Sequence, residues 1–142
     1  MTERHSVEKI GGTSMAATAT LFDNVLIAGR SGADLYNRIF VVSAYAGMTD
    51  LLLEHKKSGE PGVYACFARN DGAMDWRAAM ERVRSAMLER NAAMFAREDS
   101  RAECDRFVDR RIEALRECLV DLDRLRSHGR FCLKDQLVTV RE

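Results

Sequence analysis

Apolar and polar residues alternate in short runs over the first third of the chain. Residues Ser6–Ile10 alternate strictly, which is typical of a short β-strand. Residues 14–29 carry apolar side chains at helical spacing and end in glycines, which predicts a helix. The β-branched and aromatic run over 38–44 predicts a second strand, of the kind that is covered on both faces in a parallel sheet.

The same strand–loop–helix pattern occurs a second time before residue 60. Thr49 and Asp50 are suited to cap a helix that continues through Leu51–Leu53 and ends near Gly59. Two β-loop-α units in succession predict an α/β sheet. In such sheets ligands gather at the carboxyl ends of the strands, where both predicted strands are followed by loops rich in Gly, Ser and Thr.

The pattern changes between residues 73 and 128, where two long amphipathic helices are predicted to form a helical hairpin. The first has apolar residues at three- and four-residue steps: Trp76, Met80, Val83, Met87 and Met94. The second continues this spacing with Cys104, Phe107, Val108, Ile112, Leu115, Cys118, Leu119, Leu122 and Leu125. Ser100 and Glu103 are predicted to form a capping box, Gly129 to end the second helix, and Cys104 and Cys118 to be buried thiols. A further helix is expected from Leu133 onward.

Composition narrows the function classes. The 142 residues carry 22 basic and 22 acidic side chains, so no charge pattern for nucleic acid or an anionic membrane is present. The first residues lack the apolar core of a secretory signal, and the longest uncharged run is too short to span a bilayer. The four cysteines form no CxxC pair, which argues against zinc and against a disulfide framework. We therefore expect a cytoplasmic protein.

The candidate chemistry lies in the two glycine-bearing loops. The first is Lys9-Ile10-Gly11-Gly12-Thr13-Ser14 and the second is Ser43-Ala44-Tyr45-Ala46-Gly47-Met48-Thr49-Asp50. Glycines let backbone amides approach phosphate oxygens, and a lysine supplies positive charge to a transferring phosphoryl group. Neither loop is a Walker A or a dinucleotide fingerprint. Taken singly, each could be an ordinary turn, with Lys9 a solvated lysine at a strand end.

Both loops together resemble aspartate kinases. Residues 7–15 are similar to the K-[FY/I]-G-G-[TS]-S opening of that family, and residues 41–52 to its second loop, V-V-S-A-x-x-G-x-T-[ND]-x-L. The order and separation of the two loops also match. Residues 51–64 resemble the subgroup that accompanies ectoine synthesis genes. The sharp motifs cover about the first 60 residues, and the helical hairpin agrees in general shape only.

The resemblance implies the N-terminal part of an amino-acid-kinase α/β/α sandwich, with a long helical hairpin insertion. The implied reaction is transfer of the γ-phosphoryl group of ATP to the β-carboxylate of L-aspartate, with Mg²⁺ bound together with the nucleotide. It opens the aspartate-family amino-acid pathway, or an ectoine pathway. Lys9 would then stabilise the moving phosphoryl group, and Thr49 would contact aspartate. The residues implied to contact ATP phosphates are Lys9, Gly11, Gly12, Thr13, Ser14, Ser43, Ala44 and Gly47.

The chain also departs from the family pattern. No S-x-G-E substrate-binding motif occurs, and Glu142 lacks the flanking Ser and Gly. A nucleotide-binding second half and ACT regulatory domains are likewise missing. Residues 1–142 are therefore expected to be an N-terminal part that does not phosphorylate aspartate alone, and a homo-oligomer is expected only at full length. Two alternatives remain open: another amino-acid-kinase member, or a non-catalytic interaction module built on the hairpin.

Overall fold

The computed structural model describes residues 5–69 and 75–129. The predicted helix from Leu133 and the residues around Glu142 lie outside these ranges. The chain divides into two compact units, Met1–Gly47 and Met48–Glu142. The elements in chain order are β1 (Ser6–Ile10), a 3₁₀ turn (Ser14–Ala16), α1 (Thr18–Leu21), a π-helix (Phe22–Ile27), α2 (Ala33–Tyr36), β2 (Arg38–Val42), α3 (Met48–Leu52), α4 (Val63–Arg69), α5 (Trp76–Met94) and α6 (Glu98–Ser127).

The described sheet of the first unit consists of two parallel strands joined by a helical crossover. Strand β1 pairs with β2 in a register that sets Ser6 against Arg38 and Ile10 against Val42. Both strands were predicted at these positions, and the parallel pairing agrees with the α/β class. The larger part of the described chain is helical, and the full α/β/α sandwich stays a prediction.

Only one face of this sheet is covered in the described part of the chain. Ile10 is buried with Met15 and Leu21, and Phe40 packs against that cluster. Side chains alternate between the two faces of a strand, so Val7, Ile39 and Val41 project to the other face, where they are more than half exposed. The expectation that β2 would be covered on both faces is wrong for the described residues, because their helices pack on one face only.

The crossover differs from the single helix predicted over 14–29. It is broken into a 3₁₀ turn, one α-helical turn and a π-helix. At the end of the π-helix, the amide of Ala28 donates to the carbonyl of Asp23 at 2.9 Å. The carbonyls of Val25 and Leu26 instead accept hydrogen bonds from the Arg38 guanidinium, at 2.8 and 2.7 Å. The Arg38 side chain, on the following strand, therefore donates to two carbonyls that would bond to backbone amides in one continuous helix.

The second unit begins with a helix shorter than predicted. Helix α3 begins at Met48, so Thr49 lies in its first turn rather than at the cap position. After α3 the chain folds back through an isolated antiparallel bridge between Glu54 and Pro61. Helix α4, which was not predicted, follows at once. This turn is shaped by Gly62, where an added Cβ would lie 2.4 Å from the carbonyl oxygen of Leu51.

The core of the second unit joins α4 to both long helices. Phe67 and Leu119 are completely buried and cluster with Trp76 and Met80. The Phe67 and Trp76 rings meet edge to face, with centroids 5.9 Å apart. The Arg126 guanidinium lies 4.5 Å above the Phe67 ring and donates to the Phe67 carbonyl at 2.6 Å. The predicted apolar stripes therefore do supply the core, although α4 contributes much of it.

The predicted helical hairpin forms, and polar side chains join its two helices. Arg84 on α5 pairs with Asp109 on α6 at 2.7 Å, and the buried Asn91 donates to Asp105 at 2.8 Å. Gly129 follows the end of α6 with a left-handed φ of 71°, as expected of a helix stop.

Two details of α6 were predicted wrongly. The helix begins at Glu98 with Arg97 at the cap position, and no side chain caps it. Ser100 therefore lies inside the first turn, so it cannot form the predicted capping box with Glu103. Cys118 is exposed and Cys104 is only partly buried, which corrects the prediction of two buried thiols. The apolar residues of α6 occupy a wider arc of the helix surface than α5 and the core cover, so some of them stay exposed.

Candidate active site

The strand register fixes the position of Lys9, the first residue of the candidate site. Lys9 lies opposite Val41, one residue before the end of each strand. It is exposed and forms no ion pair with any residue in the described ranges. Its ammonium group is therefore available to an anionic ligand at the carboxyl edge of the sheet, which is where α/β proteins bind ligands.

The two glycine-bearing loops meet at this edge. The amide of Ser43 donates to the carbonyl of Ile10 at 3.0 Å, which extends the parallel ladder one residue past the end of β2. Gly12 lies beside the second loop, and a Cβ built on it would be 3.5 Å from the Ser43 hydroxyl oxygen. The structure thus brings together the predicted loops at Gly12 and Ser43, which are 31 positions apart in sequence.

Backbone hydrogen bonds and one buried side chain fix the first loop, and two of its amides have no described backbone acceptor. The carbonyl of Gly11 accepts from the Met15 amide, and that of Thr13 accepts from the Ala16 amide, each at 3.2 Å. Met15 is buried in the core of the first unit and anchors the turn. No described backbone carbonyl accepts from the amides of Gly12 or Thr13. A glycine loop with unpaired amides and a nearby lysine fits a phosphate group.

The remaining predicted residues are divided between the two units. Ser14 and Ala44 are exposed, the first at the start of the 3₁₀ turn and the second just after Ser43. Gly47 has a φ of 84°, a left-handed backbone that glycine adopts without strain. Thr49 lies in the second unit, where its carbonyl accepts from the Leu53 amide at 2.9 Å.

Glu8 and Arg38 support the site, and sequence reasoning did not identify them. The Arg38 side chain is 4% exposed, and it forms two hydrogen bonds to the Glu8 carboxylate, at 2.7 and 2.6 Å. It also lies 4.5 Å over the Phe40 ring. The hydrogen bond from Arg38 holds the pKa of Glu8 below its ordinary value, and Glu8 in turn raises the pKa of Arg38. The only signal in the sequence is a carboxylate on one strand and an arginine at the start of the next.

This pair links β1, β2 and the π-helix through one guanidinium. Glu8 precedes Lys9 directly, so the contact that fixes β1 against β2 also fixes the strand position from which Lys9 projects. A bidentate arginine–carboxylate pair has a narrow geometry, which makes it suited to setting the strand register.

Within the described ranges, no group of three or more His, Cys, Asp or Glu side chains is placed to hold a metal ion. No described helix is both long and apolar enough to cross a membrane. The two loops and the strand end offer backbone amides, hydroxyls and one lysine, a set that fits phosphate oxygens.

A curated relative matches almost the whole of this chain. It is an aspartate kinase, Ask_Ect, from Stutzerimonas stutzeri (strain A1501), and it is 51% identical over 138 residues. The chain resembles an aspartate kinase. The match covers 97% of this chain and 29% of the relative's length, so the resemblance inferred from the first 60 residues is confirmed and extends through the hairpin.

The chain therefore spans only 29% of the length of the aspartate kinase that it matches. No protein-family model matches the chain, and no solved structure matches it. The name of the relative also fits the resemblance to the ectoine-linked subgroup that residues 51–64 suggested.

Proposed function

We propose that this chain supplies the phosphate-contacting loops of an aspartate kinase, which transfers the γ-phosphoryl group of ATP to the β-carboxylate of L-aspartate. The observation that carries the proposal is the approach of Gly12 to Ser43 at the carboxyl edge of two parallel strands. Similarity to an aspartate kinase over 97% of the chain supports the same reaction. The product would be 4-phospho-L-aspartate, which enters amino-acid or ectoine synthesis.

In this proposal the residues act through charge and position. Phosphoryl transfer asks the protein mainly to align two anions and to neutralise developing negative charge. Lys9 supplies the compact positive charge at the strand end. The open amides of Gly12 and Thr13 donate to phosphate oxygens, and the hydroxyls of Ser14 and Ser43 donate from the loop edges.

The other assigned residues complete the two loops. Gly11 has open space where a Cβ would lie, so a phosphate can approach its backbone closely. Ala44 and Gly47 belong to the facing loop, and Thr49 offers its hydroxyl to the aspartate substrate. Mg²⁺ bound with the nucleotide would neutralise phosphate charge, and no residue of this chain is assigned to hold it.

The test is a chimera, because the chain spans 29% of the relative's length. The matching segment of the Stutzerimonas stutzeri kinase is replaced by this chain, and ATP-dependent aspartyl hydroxamate formation is measured. We expect activity in the chimera and a loss of at least about 10²-fold with Lys9→Ala, the scale for removal of a charge-stabilising donor. Lys56→Ala, at an exposed lysine in a turn of the second unit, is the matched control and keeps full activity.

An active chimera whose Lys9→Ala variant retains full turnover would contradict the assigned role. We also expect the 142-residue chain alone to form no hydroxamate, as predicted from its missing substrate-binding motif. If Lys9→Ala leaves every property of the chimera unchanged and the chimera is inactive, the alternative of a non-catalytic interaction module is favoured.

A further inference from the structure

Tyr45 is a residue through which the second glycine-bearing loop contacts the core of the first unit. The two residues before it in the loop are exposed. The Tyr45 side chain is instead partly buried, and it packs against the cluster of Ile10, Met15 and Leu21. We call this cluster the shared core, because the first loop is anchored in it as well.

The shared core fixes the first loop through Met15. This side chain is buried in the cluster, and the Met15 amide donates to the carbonyl of Gly11 at 3.2 Å. Ile10 takes part in two ways, because its side chain is buried in the shared core and its carbonyl accepts from the Ser43 amide at 3.0 Å. One apolar cluster therefore anchors both loops, with Met15 beside the first and Tyr45 in the second.

The second loop offers an open backbone amide at Ala44. In the described part of the chain, no backbone carbonyl accepts from this amide, so it is available to a phosphate oxygen. Ala44 lies between Ser43, which the strand ladder holds, and Tyr45, which the shared core holds. Segments with few buried apolar contacts open most readily. The packed ring of Tyr45 therefore limits the motion of the open amide.

We propose that Tyr45 is a positioning residue, whose ring holds the second loop at the separation from the first loop that phosphate contact requires. A large, rigid aromatic side chain suits this task. The effect on loop geometry is independent of the reaction, whereas the effect on catalysis rests on the proposed function. Phosphoryl transfer depends on alignment, and a displacement of about 1 Å can lower a rate by about 10²-fold.

The first test measures the geometry of the loops without activity. It uses the 142-residue chain with Gly12→Cys and Ser43→Cys, in which the rate of disulfide formation on mild oxidation reports the approach of the loops. Tyr45→Ala should lower this rate by about tenfold or more, because alignment governs intramolecular reactions. Tyr45→Phe keeps the ring and should keep the parent rate.

Val25→Ala is the matched control for loss of stability. Val25 packs against the shared core from the π-helix, so its truncation weakens the same cluster without altering either loop. It should lower the free energy of unfolding, as Tyr45→Ala does, yet leave the cross-linking rate unchanged. Far-ultraviolet circular dichroism verifies that each variant is folded. If Tyr45→Ala does not fold, Tyr45→Leu gives the same comparison, since it retains an apolar side chain but not the ring.

The second test uses the chimera with the Stutzerimonas stutzeri kinase. The KM for ATP should rise about tenfold in Tyr45→Ala, and Tyr45→Phe should show the parent value. A chimera that is only less stable contains fewer active molecules, which lowers kcat and leaves the KM for ATP unchanged. Val25→Ala should behave in this second way.

Two results would overturn the proposal. One is a cross-linking rate that Tyr45→Ala leaves at the parent value, or that Val25→Ala lowers by as much. The other is an active chimera in which Tyr45→Ala leaves the KM for ATP unchanged. An inactive parent chimera would contradict the proposed function instead, and the cross-linking rates would still decide whether Tyr45 positions the loop.

Discussion

Gly12 and Ser43 lie on separate loops, yet a Cβ placed on Gly12 would be 3.5 Å from the hydroxyl oxygen of Ser43. This separation is an ordinary van der Waals contact, so the loops touch without strain. The parallel register of β1 and β2 produces the contact, because it ends both strands at the same edge of the sheet. The proposed phosphate site depends on this proximity.

A cross-linking experiment checks the contact between the loops. The double variant Gly12→Cys with Ser43→Cys should form an intramolecular disulfide on mild oxidation, since the two side chains start within disulfide reach. Peptide mapping by mass spectrometry identifies the bond among the native cysteines. Gly11→Cys with Ser43→Cys is the control, because nothing lies within 4 Å of a Cβ at Gly11. Equal cross-linking of both pairs would contradict the described loop geometry.

Substitution of Gly62 should destabilise the second unit. An added Cβ would lie 2.4 Å from the Leu51 carbonyl oxygen and 2.7 Å from that of Asp50, both of which are backbone atoms. We expect Gly62→Ala to lower the free energy of unfolding by about 1–3 kcal/mol, the range for overpacking. Urea denaturation measures the change. Gly11→Ala, in open space, should stay within about 0.5 kcal/mol of the parent.

Truncation of Phe67 should remove the central side chain of the larger core. Phe67 is completely buried between the Trp76 ring and the Arg126 guanidinium. We expect Phe67→Ala to lower the free energy of unfolding by about 3–5 kcal/mol through lost burial and the resulting cavity. Tyr36→Ala, at a side chain that is 81% exposed, should have little effect in the same urea titration. Similar losses for both variants would mean that Phe67 is not central to the core.

The Glu8–Arg38 pair should make stability depend on pH in the acid range. Arg38 holds the pKa of Glu8 below the ordinary value of 4.5 in the folded chain. The unfolded chain therefore binds the proton more readily, so the stabilising contribution is complete above pH 4.5. It is lost as the pH falls below 4.5 and through the lowered pKa.

Glu8→Gln is the variant that isolates this effect. It removes the titrating group, so the free energy of unfolding should fall less steeply between neutral pH and the acid range than in the parent chain. Thermal melts at a series of pH values measure the two slopes. Glu54→Gln, in an exposed pair with Arg69, is the matched control and should keep the parent slope. Identical slopes for the parent and Glu8→Gln would show that the pair does not contribute.

Short-range patterns predicted the parts of the fold that depend on neighbouring residues. Alternation located β1, the apolar run located β2, and helical spacing located the hairpin of α5 and α6. The same patterns missed α4, because Val63–Arg69 follows the Glu54–Pro61 bridge and is buried by contacts with distant helices. They also predicted one continuous helix over 14–29, where the chain forms a 3₁₀ turn, an α-helical turn and a π-helix.

The candidate site shows the same division. Its residue types, a lysine with two loops of Gly, Ser and Thr, could be identified from the sequence. Their resemblance to aspartate kinases is confirmed by a relative that is 51% identical. The roles of these residues stay predictions. The supporting pair of Glu8 and Arg38 was not foreseen, since 30 positions separate the two residues and no local pattern connects them.

The sequence by itself determined which segments are strands and long helices, and which loops carry the Gly, Ser, Thr and Lys residues of the proposed phosphate site. These properties depend on side-chain periodicity and on residue type, which are local. Only the tertiary structure decided that Gly12 meets Ser43, that Arg38 holds β1, β2 and the π-helix together, and that Phe107 and Leu125 of α6 are exposed. Each of these depends on the strand register or on which helix face the core covers, and both arise from contacts between residues far apart in the chain.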